Sequence, residues 1–176
     1  GKLLSMQFEF GQYLPDWHPA EDYMKGYTAN TGIILDGSHE IDLAQWFRPY
    51  AGVVPKIASQ SGKLSELCIN SEDTANILLD YDGVLCSIHL DMINRQYTRT
   101  CRFIGSESSI FWDYISPMVT VIGKERQYVH FECNDPYLDE MKSFIECIEQ
   151  NLPPKVNIHA ARQTLEIALT AKYGQL

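Results

Sequence analysis

Residues 74–93 read TANILLDYDGVLCSIHLDMI, two apolar runs that meet at Asp82-Gly83. An Asp-Gly pair between hydrophobic runs favours a tight hairpin turn, because both turn positions adopt positive φ. The two runs are therefore predicted to be antiparallel neighbours in a sheet. One side of the second run is wholly apolar and the other is mixed, which predicts a sheet with one covered face and one open face.

Further short strands are predicted on both sides of this hairpin. Strand patterns cover residues 3–13, 53–61, 98–104, 109–114, 118–122 and 127–131. Their connections are short, and Gly105-Ser106-Glu107-Ser108 is a second turn of the hairpin kind. Parallel strands need crossovers of about a dozen residues or more, so these connections predict one large, mainly antiparallel sheet.

Two amphipathic helices are predicted at the end of the chain. Asn134-Asp135-Pro136 places a capping residue before a proline, and an apolar stripe follows as far as residue 148. Asn157 caps the second helix, and Gly174 lies just past its end. We expect both stripes to pack on the sheet. The predicted fold class is therefore α+β, a large, mainly antiparallel, open-faced sheet with helices on one face.

The composition fits a single domain over residues 1–176. The formal net charge is −9, with no long cluster of Lys or Arg, so nucleic acid is a poor candidate partner. Apolar stretches fall well short of the roughly 20 residues that cross a bilayer, and no charged-then-apolar leader opens the chain. We therefore expect a soluble, cytoplasmic protein with no membrane partner.

The five cysteines are spread along the chain without a Cys-x-x-Cys pair. An odd, scattered set argues against a disulfide framework and against a structural zinc site. Cys86 and Cys101 lie in predicted strands and Cys147 in a predicted helix, where cysteine acts as a small hydrophobic residue. No cluster of His, Asp and Glu has the spacing of metal ligands, so no metal is expected.

Residues 31–47 (TGIILDGSHEIDLAQWF) bring a carboxylate and an imidazole together at the start of a predicted helix. Either Asp36 or Ser38 suits the N-cap, and His39 then shares a helix face with Trp46. An imidazole titrates near about pH 6.5, and a neighbouring carboxylate can fix its tautomer, so Asp36 and His39 are candidates for proton transfer. The alternative is that Asp36 only caps the helix and that His39 is an ordinary first-turn residue.

A second acid and imidazole, Asp91 and His89, lie on the mixed side of the strand that follows the hairpin. They compete with the pair at the helix start for a catalytic role. Residues on an open sheet face are usually solvated or at an interface, so we rank this second pair lower. Leu85 and Ile93 leave apolar area on the same side, which predicts self-association through it. The alternative is that a longer loop over residues 53–67 covers this face and leaves a monomer.

Three segments occur in a fixed order along the chain: residues 13–19 (YLPDWHP), 32–42 (GIILDGSHEID) and 103–107 (FIGSE). Together they resemble the C-terminal domain of the Gfo/Idh/MocA oxidoreductases. Members of that family carry an N-terminal Rossmann domain that binds NAD or NADP. A domain of the present kind follows it, completes the substrate pocket and forms oligomers through its open sheet. The resemblance therefore implies a homo-oligomer.

The resemblance also implies roles for two residues of the second segment. His39 is expected to exchange a proton with the substrate hydroxyl or carbonyl during hydride transfer, and Asp36 is expected to orient its ring. Inositol-dehydrogenase-like members have three residues between this Asp and this His, whereas here only two, Gly37 and Ser38, intervene.

In the first segment, the resemblance places Asp16, Trp17 and His18 near the substrate. Carboxylates and imidazoles hydrogen-bond hydroxyl groups, and an indole can cover the apolar side of a ring, so these residues are expected to bind a sugar or polyol. The alternative for Trp17 is a packing anchor.

No Gly-x-Gly-x-x-Gly motif and no Glu-Lys-Pro motif occurs in the chain. Since the glycine motif lets a pyrophosphate approach a helix N-terminus, NAD or NADP is expected to bind mainly to an N-terminal domain outside this sequence. The resemblance thus implies the C-terminal part of a nicotinamide-dependent dehydrogenase or reductase for a sugar, sugar nucleotide or polyol, inactive by itself. The alternative is a non-catalytic ligand-binding or dimerisation module with the same fold.

Overall fold

The described residues form eight strands, which lie side by side in one sheet. They are β1 (Leu3–Gly11), β2 (Lys56–Gly62), β3 (Thr74–Asp80), β4 (Leu85–Asp91), β5 (Thr98–Gly105), β6 (Ser109–Asp113), β7 (Met118–Ile122) and β8 (Arg126–His130). The computed structural model describes residues 1–19, 25–48, 52–116, 118–132, 134–154 and 156–174. The strand order is β2-β3-β4-β1-β5-β6-β7-β8.

Only one neighbouring pair among these eight strands, β1 with β4, runs parallel. The other six pairs are antiparallel. Residues 12–84 separate β1 from β4, which is ample length for the crossover that a parallel pair requires. The mainly antiparallel sheet of an α+β fold is therefore confirmed.

The described ranges contain five helices. They are α1 (Leu14–Trp17), α2 (Ile33–Asp36), α3 (Ser38–Trp46), α4 (Pro136–Glu149) and α5 (Ile158–Tyr173). Asp135 caps α4 and Asn157 caps α5 through side-chain carbonyl or carboxylate oxygens that accept backbone N–H groups, as predicted. None of these helices is long and apolar enough to cross a membrane.

The hairpin between β3 and β4 has the predicted turn. Asp82 and Gly83 both have positive φ, 55° and 94°, and the Tyr81 amide donates to the Val84 carbonyl at 3.0 Å. These values fit a type I′ turn, whose twist matches that of the flanking strands. The register pairs Asp80 with Leu85, so the two apolar sides of the strands coincide.

One row of paired residues shows which side of the sheet the helices cover. From β2 to β8 the row reads Ser59, Ile77, Ile88, Phe8, Cys101, Trp112, Val119, Val129. The Ser59 hydroxyl donates to the Ala171 carbonyl of α5, which places the helices on this side. Ile77, Ile88 and Phe8 are buried, whereas Val129 at the far end is 52% exposed. The helix cover therefore ends near β5.

Helix α4 departs from the prediction. Its stripe of Leu138, Met141, Phe144, Ile145 and Ile148 is between 47% and 65% exposed, and no residue of α4 is buried. The expectation that this stripe packs on the sheet is wrong for this chain. An amphipathic pattern indicates that one face of a helix is apolar, but it does not specify the surface that covers that face.

Candidate active site around His39

The segment that carries Asp36 and His39 forms two short helices rather than one. Asp36 is the last residue of α2, and the N-cap of α3 is Gly37, with no side-chain capping bond. The expectation that Asp36 or Ser38 caps the helix is therefore wrong. A Cβ at Gly37 would lie 2.9 Å from the Ile33 carbonyl oxygen and 3.0 Å from Leu90, so only glycine fits this close turn.

His39 lies in the first turn of α3, on the side that faces away from the sheet. Its neighbours Glu40 and Ile41 are buried, whereas His39 is exposed, as is Trp46 two turns later. No hydrogen bond or ion pair joins His39 to Asp36 among the residues that the structure describes. The imidazole is therefore open to a ligand that approaches the helix side of the sheet.

Asp36 has a different partner from the one that the sequence suggested. Its Oδ2 accepts a short hydrogen bond from the hydroxyl of Tyr27, a buried side chain. The sequence contained no signal for this contact, because Tyr27 lies in an irregular segment without periodicity. Asp36 thus ties the end of α2 to that segment.

A buried ion pair lies on the other side of the same helix turn. Glu40 Oε1 is 2.8 Å from Nε of Arg99, which projects from β5, and the Glu40 side chain is only 2% exposed. Burial raises the pKa of Glu40, while the positive charge of Arg99 and its hydrogen bond act to lower it. The net direction is upward. Glu40 Oε2 has no partner among the described residues.

Two tyrosines complete this cluster. The Arg99 guanidinium lies 4.9 Å from the ring centre of Tyr114, a cation–π contact. Burial is the main factor that raises the pKa of the Tyr97 hydroxyl, and the charge of Arg99 opposes it. Sequence reasoning missed the Glu40–Arg99 pair, because a strand residue and a helix residue 59 positions apart carry no shared pattern.

The first family-like segment lies at the end of β1. Trp17 is half-buried, with its ring centre 6.1 Å from that of Phe10 and 4.5 Å from that of His18. Asp16 is exposed. No hydrogen bond, ion pair or ring contact between described residues joins this group to His39. The contact with Phe10 shows that Trp17 anchors α1 to β1.

The second candidate pair lies on the opposite face of the sheet. His89 Nε2 is 3.1 Å from Asp91 Oδ2, and His89 Nδ1 is 2.8 Å from Asn76 Oδ1. Asp91 is buried, and its Oδ1 accepts the backbone N–H groups of Ile93 and Asn94. Asp91 therefore anchors the turn after β4, which is a structural task.

Cys86 and Cys101 belong to the core of the sheet. Cys86 and Cys101 are buried, and burial is the main cause that raises the pKa of each thiol to about 12. Both thus act as small core residues, as predicted. Within the described ranges, no group of three or more His, Cys, Asp or Glu residues is placed to hold a metal ion.

Relatives of this chain are oxidoreductases of about twice its length. A myo-inositol 2-dehydrogenase from Thermotoga maritima is 24% identical over 172 residues, a match that covers 88% of this chain and 49% of that protein. The chain therefore spans about half the length of the curated relative that it matches.

Solved structures share the fold. A UDP-N-acetylglucosamine 3-dehydrogenase from Acidithiobacillus ferrooxidans superimposes with a TM-score of 0.79 at 16% identity, over 99% of this chain and 54% of that one. An oxidoreductase from Agrobacterium radiobacter, in complex with NAD+, L-tartaric acid and magnesium, gives 0.78 at 16% identity, over 99% and 55%. A 3-ketoreductase from Actinomadura kijaniata, in complex with TDP-benzene and NADP, gives 0.75 at 15% identity, over 99% and 53%.

At these identities the likeness to solved structures establishes the fold alone. The family described as the GFO/IDH/MocA C-terminal domain matches residues 1–111, well over half of the chain. The three family-like sequence segments all lie within that range. The chain therefore belongs to the Gfo/Idh/MocA family of oxidoreductases, as a C-terminal domain.

Proposed function

We propose that this chain is the substrate-binding and oligomerisation half of an NAD- or NADP-dependent dehydrogenase or reductase that acts on a sugar, sugar nucleotide or polyol. The observation that carries the proposal is the placement of His39. In a chain of this family, an exposed imidazole stands at the start of α3, on the sheet side whose cover is incomplete.

His39 is the residue that moves the proton. As the substrate is oxidised, a ring nitrogen accepts the proton of the hydroxyl, and the C–O bond becomes a carbonyl. In the reverse direction the imidazolium donates that proton to the carbonyl oxygen. Bound NAD or NADP supplies the hydride acceptor or donor. An imidazole side chain can accept a proton in one direction and, as imidazolium, donate it in the other.

Asp36 orients His39 in this proposal, through the turn at Gly37 rather than through a direct hydrogen bond. Its bond from Tyr27 holds the end of α2, and only Gly37 separates α2 from α3. Asp16, Trp17 and His18 are proposed to bind the sugar ring, with two polar groups for hydroxyls and an indole for the apolar side of the ring.

The dinucleotide is proposed to bind mainly outside this chain. The sequence has no glycine-rich loop that would let a pyrophosphate approach a helix N-terminus. Large apolar side chains are instead exposed beside α3, among them Trp46 at 66% and Phe144 at 61%, which line one cavity. Apolar surface of that extent is typical of a surface that another domain covers, so we propose that a cofactor domain packs there.

The coding sequence upstream of Gly1 tests this proposal directly. We expect it to encode a strand-turn-helix unit with Gly-x-Gly-x-x-Gly, in frame with this chain. A start codon immediately before Gly1 would contradict the proposal and would favour the non-catalytic module that shares the fold.

The isolated chain is expected to bind nicotinamide cofactors poorly. Without a loop to hold the pyrophosphate, titration calorimetry with NADH and with NADPH should give no submicromolar dissociation constant. Submicromolar binding of either cofactor to this chain would contradict the assignment of cofactor binding to another domain.

Self-association through the open face is the second part of the proposal. Leu78 and Leu85 lie on neighbouring strands of that face and are 56% and 60% exposed. His89 lies on the same face, nearer the end of β4. The buried Asp91 instead accepts a backbone N–H of the turn after β4. An isologous contact would bury both leucines against their copies.

We expect Leu85→Glu to dissociate the oligomer. Two carboxylates would be forced into an apolar contact near a two-fold axis, which costs far more than the exposed leucine contributes to the monomer. Sedimentation equilibrium of the chain should show a dimer or tetramer that becomes monomeric in the variant. Leu138→Glu on α4 is the matched control, and dissociation by that variant alone would move the interface to α4.

A further inference from the structure

Lys172, in the last turn of α5, reaches back to the segment that carries Asp36 and His39. Its ammonium group donates to the Thr31 carbonyl at 2.7 Å and forms a close ion pair with Glu72 Oε2. Both side chains are nearly buried, with 5% of Lys172 and 9% of Glu72 exposed. A buried lysine and a buried carboxylate without each other would be costly, so each stabilises the other.

Glu72 uses its remaining groups to hold the start of α2. Its Oε1 accepts the Ile34 amide at 3.3 Å, and its backbone carbonyl accepts the Ile33 amide at 3.2 Å. Two of the amides that a helix leaves unpaired at its N-terminus are thus satisfied by one residue. A negative carboxylate at that end also suits the helix dipole.

Gly32 makes this arrangement sterically feasible. Its φ is +121°, and a Cβ at this position would lie 2.6 Å from the Glu72 carboxyl group. Any other residue would displace the carboxylate from the start of α2. Gly32, the first residue of the second family-like segment, therefore leaves the space that the Glu72 carboxyl group occupies.

We propose that Lys172 is a positioning residue for the candidate active site. Through Glu72 it fixes the start of α2, and α2 with the Gly37 turn fixes the direction in which α3 presents His39. A second tie from the same helix, the hydroxyl of Thr164 to Asp42 Oδ1 at 2.9 Å, holds the middle of α3. Of these two ties, the Lys172 tie acts upstream of His39, on the segment that leads into α2. The catalytic meaning of this role rests on the proposed function, but the role itself does not.

The test uses Lys172→Met in this chain, with two NMR readouts. We expect the Ile33 and Ile34 amides to exchange with solvent at least about tenfold faster, relative to Ile77 in β3, and we expect the His39 ring signals to shift. Arg162→Met is the matched control, since it removes an exposed cation from the same helix, 2.7 Å from Glu166. It should leave both readouts unchanged.

Equal acceleration at Ile33, Ile34 and Ile77 would show a general loss of stability and would overturn the proposal. Unchanged His39 signals would overturn it as well. If Lys172→Met does not fold, Lys172→Arg keeps the charge but cannot place a planar fork in the site of an ammonium without moving Glu72. It should then give the same local shift of the His39 signals in a folded chain.

Kinetics of the oxidoreductase that contains this chain separate the two proposals. Lys172→Met should lower kcat and leave the KM for the nicotinamide cofactor unchanged. Shifted His39 signals in Lys172→Met, together with normal turnover of His39→Ala, would uphold the positioning role of Lys172 and refute the catalytic role of His39. Unchanged NMR readouts in Lys172→Met, together with an inactive His39→Ala, would refute the positioning role and uphold the catalytic one.

Discussion

Replacing His39 with alanine should lower kcat of the intact oxidoreductase by about 10²- to 10⁴-fold, the usual contribution of a general acid–base group. The imidazole is exposed and makes no hydrogen bond to another described residue, so its removal should leave folding intact. Cofactor binding, which we assign to another domain, should be nearly unchanged. Steady-state kinetics and cofactor titration of the same preparation measure both quantities.

Two further variants serve as comparisons for His39→Ala. Asp36→Ala should cost less than His39→Ala, because Asp36 acts on the turn and does not exchange the proton. His89→Ala lies on the opposite face of the sheet and should retain turnover. Near-normal turnover of His39→Ala, together with an inactive His89→Ala, would assign proton transfer to His89 and Asp91 instead.

Arg99→Met should lower the free energy of unfolding of this chain by about 3–5 kcal/mol at pH 7, the cost of leaving a buried charge without its partner. Glu40 Oε2 already lacks a partner among the described residues, and Glu40 Oε1 would lose the Arg99 guanidinium as well. Urea unfolding of the isolated chain measures the difference.

The pH dependence of that loss has a definite sign. Burial raises the folded-state pKa of Glu40, so its contribution to stability is full below its ordinary value of 4.5 and is lost as the pH rises through the folded pKa. Removal of Arg99 takes away the opposing charge and raises that pKa further. The deficit of Arg99→Met should therefore be largest at neutral pH and shrink towards pH 4.5.

The control for this prediction lies on the same strand. Arg102 is exposed on the open face of β5, and Arg102→Met should change the free energy of unfolding by less than about 0.5 kcal/mol. Glu40→Gln in the Arg99→Met background should restore most of the lost stability, since it removes the unpaired charge. A loss independent of pH would mean that packing of Arg99 on Tyr114, and not the charge of Glu40, carries the effect.

The sheet was predictable because its signals are local. The Asp82-Gly83 turn determines one hairpin, and period-two alternation located all eight strands to within about two or three residues at their ends. The exception is the parallel pair of β1 and β4, because strand order across a long crossover leaves no trace in a short window of sequence.

The site was predictable only in part, because its contacts are distant in sequence. His39 was proposed from its position beside an acid at a predicted helix start and from the family resemblance. The partners of its neighbours were not, since Tyr27 to Asp36, Arg99 to Glu40 and Lys172 to Glu72 are made by the folded chain. Helix α4 shows the converse: its stripe was predicted correctly, but its burial was not.

A structure of the intact oxidoreductase with its nicotinamide cofactor and a sugar or polyol bound would test the central claim most directly. We predict that the nicotinamide lies on the helix side of the sheet and that a ring nitrogen of His39 lies about 2.6–3.2 Å from the oxygen on the carbon that exchanges hydride. A substrate bound on the open face beside His89, or a nicotinamide remote from His39, would contradict it.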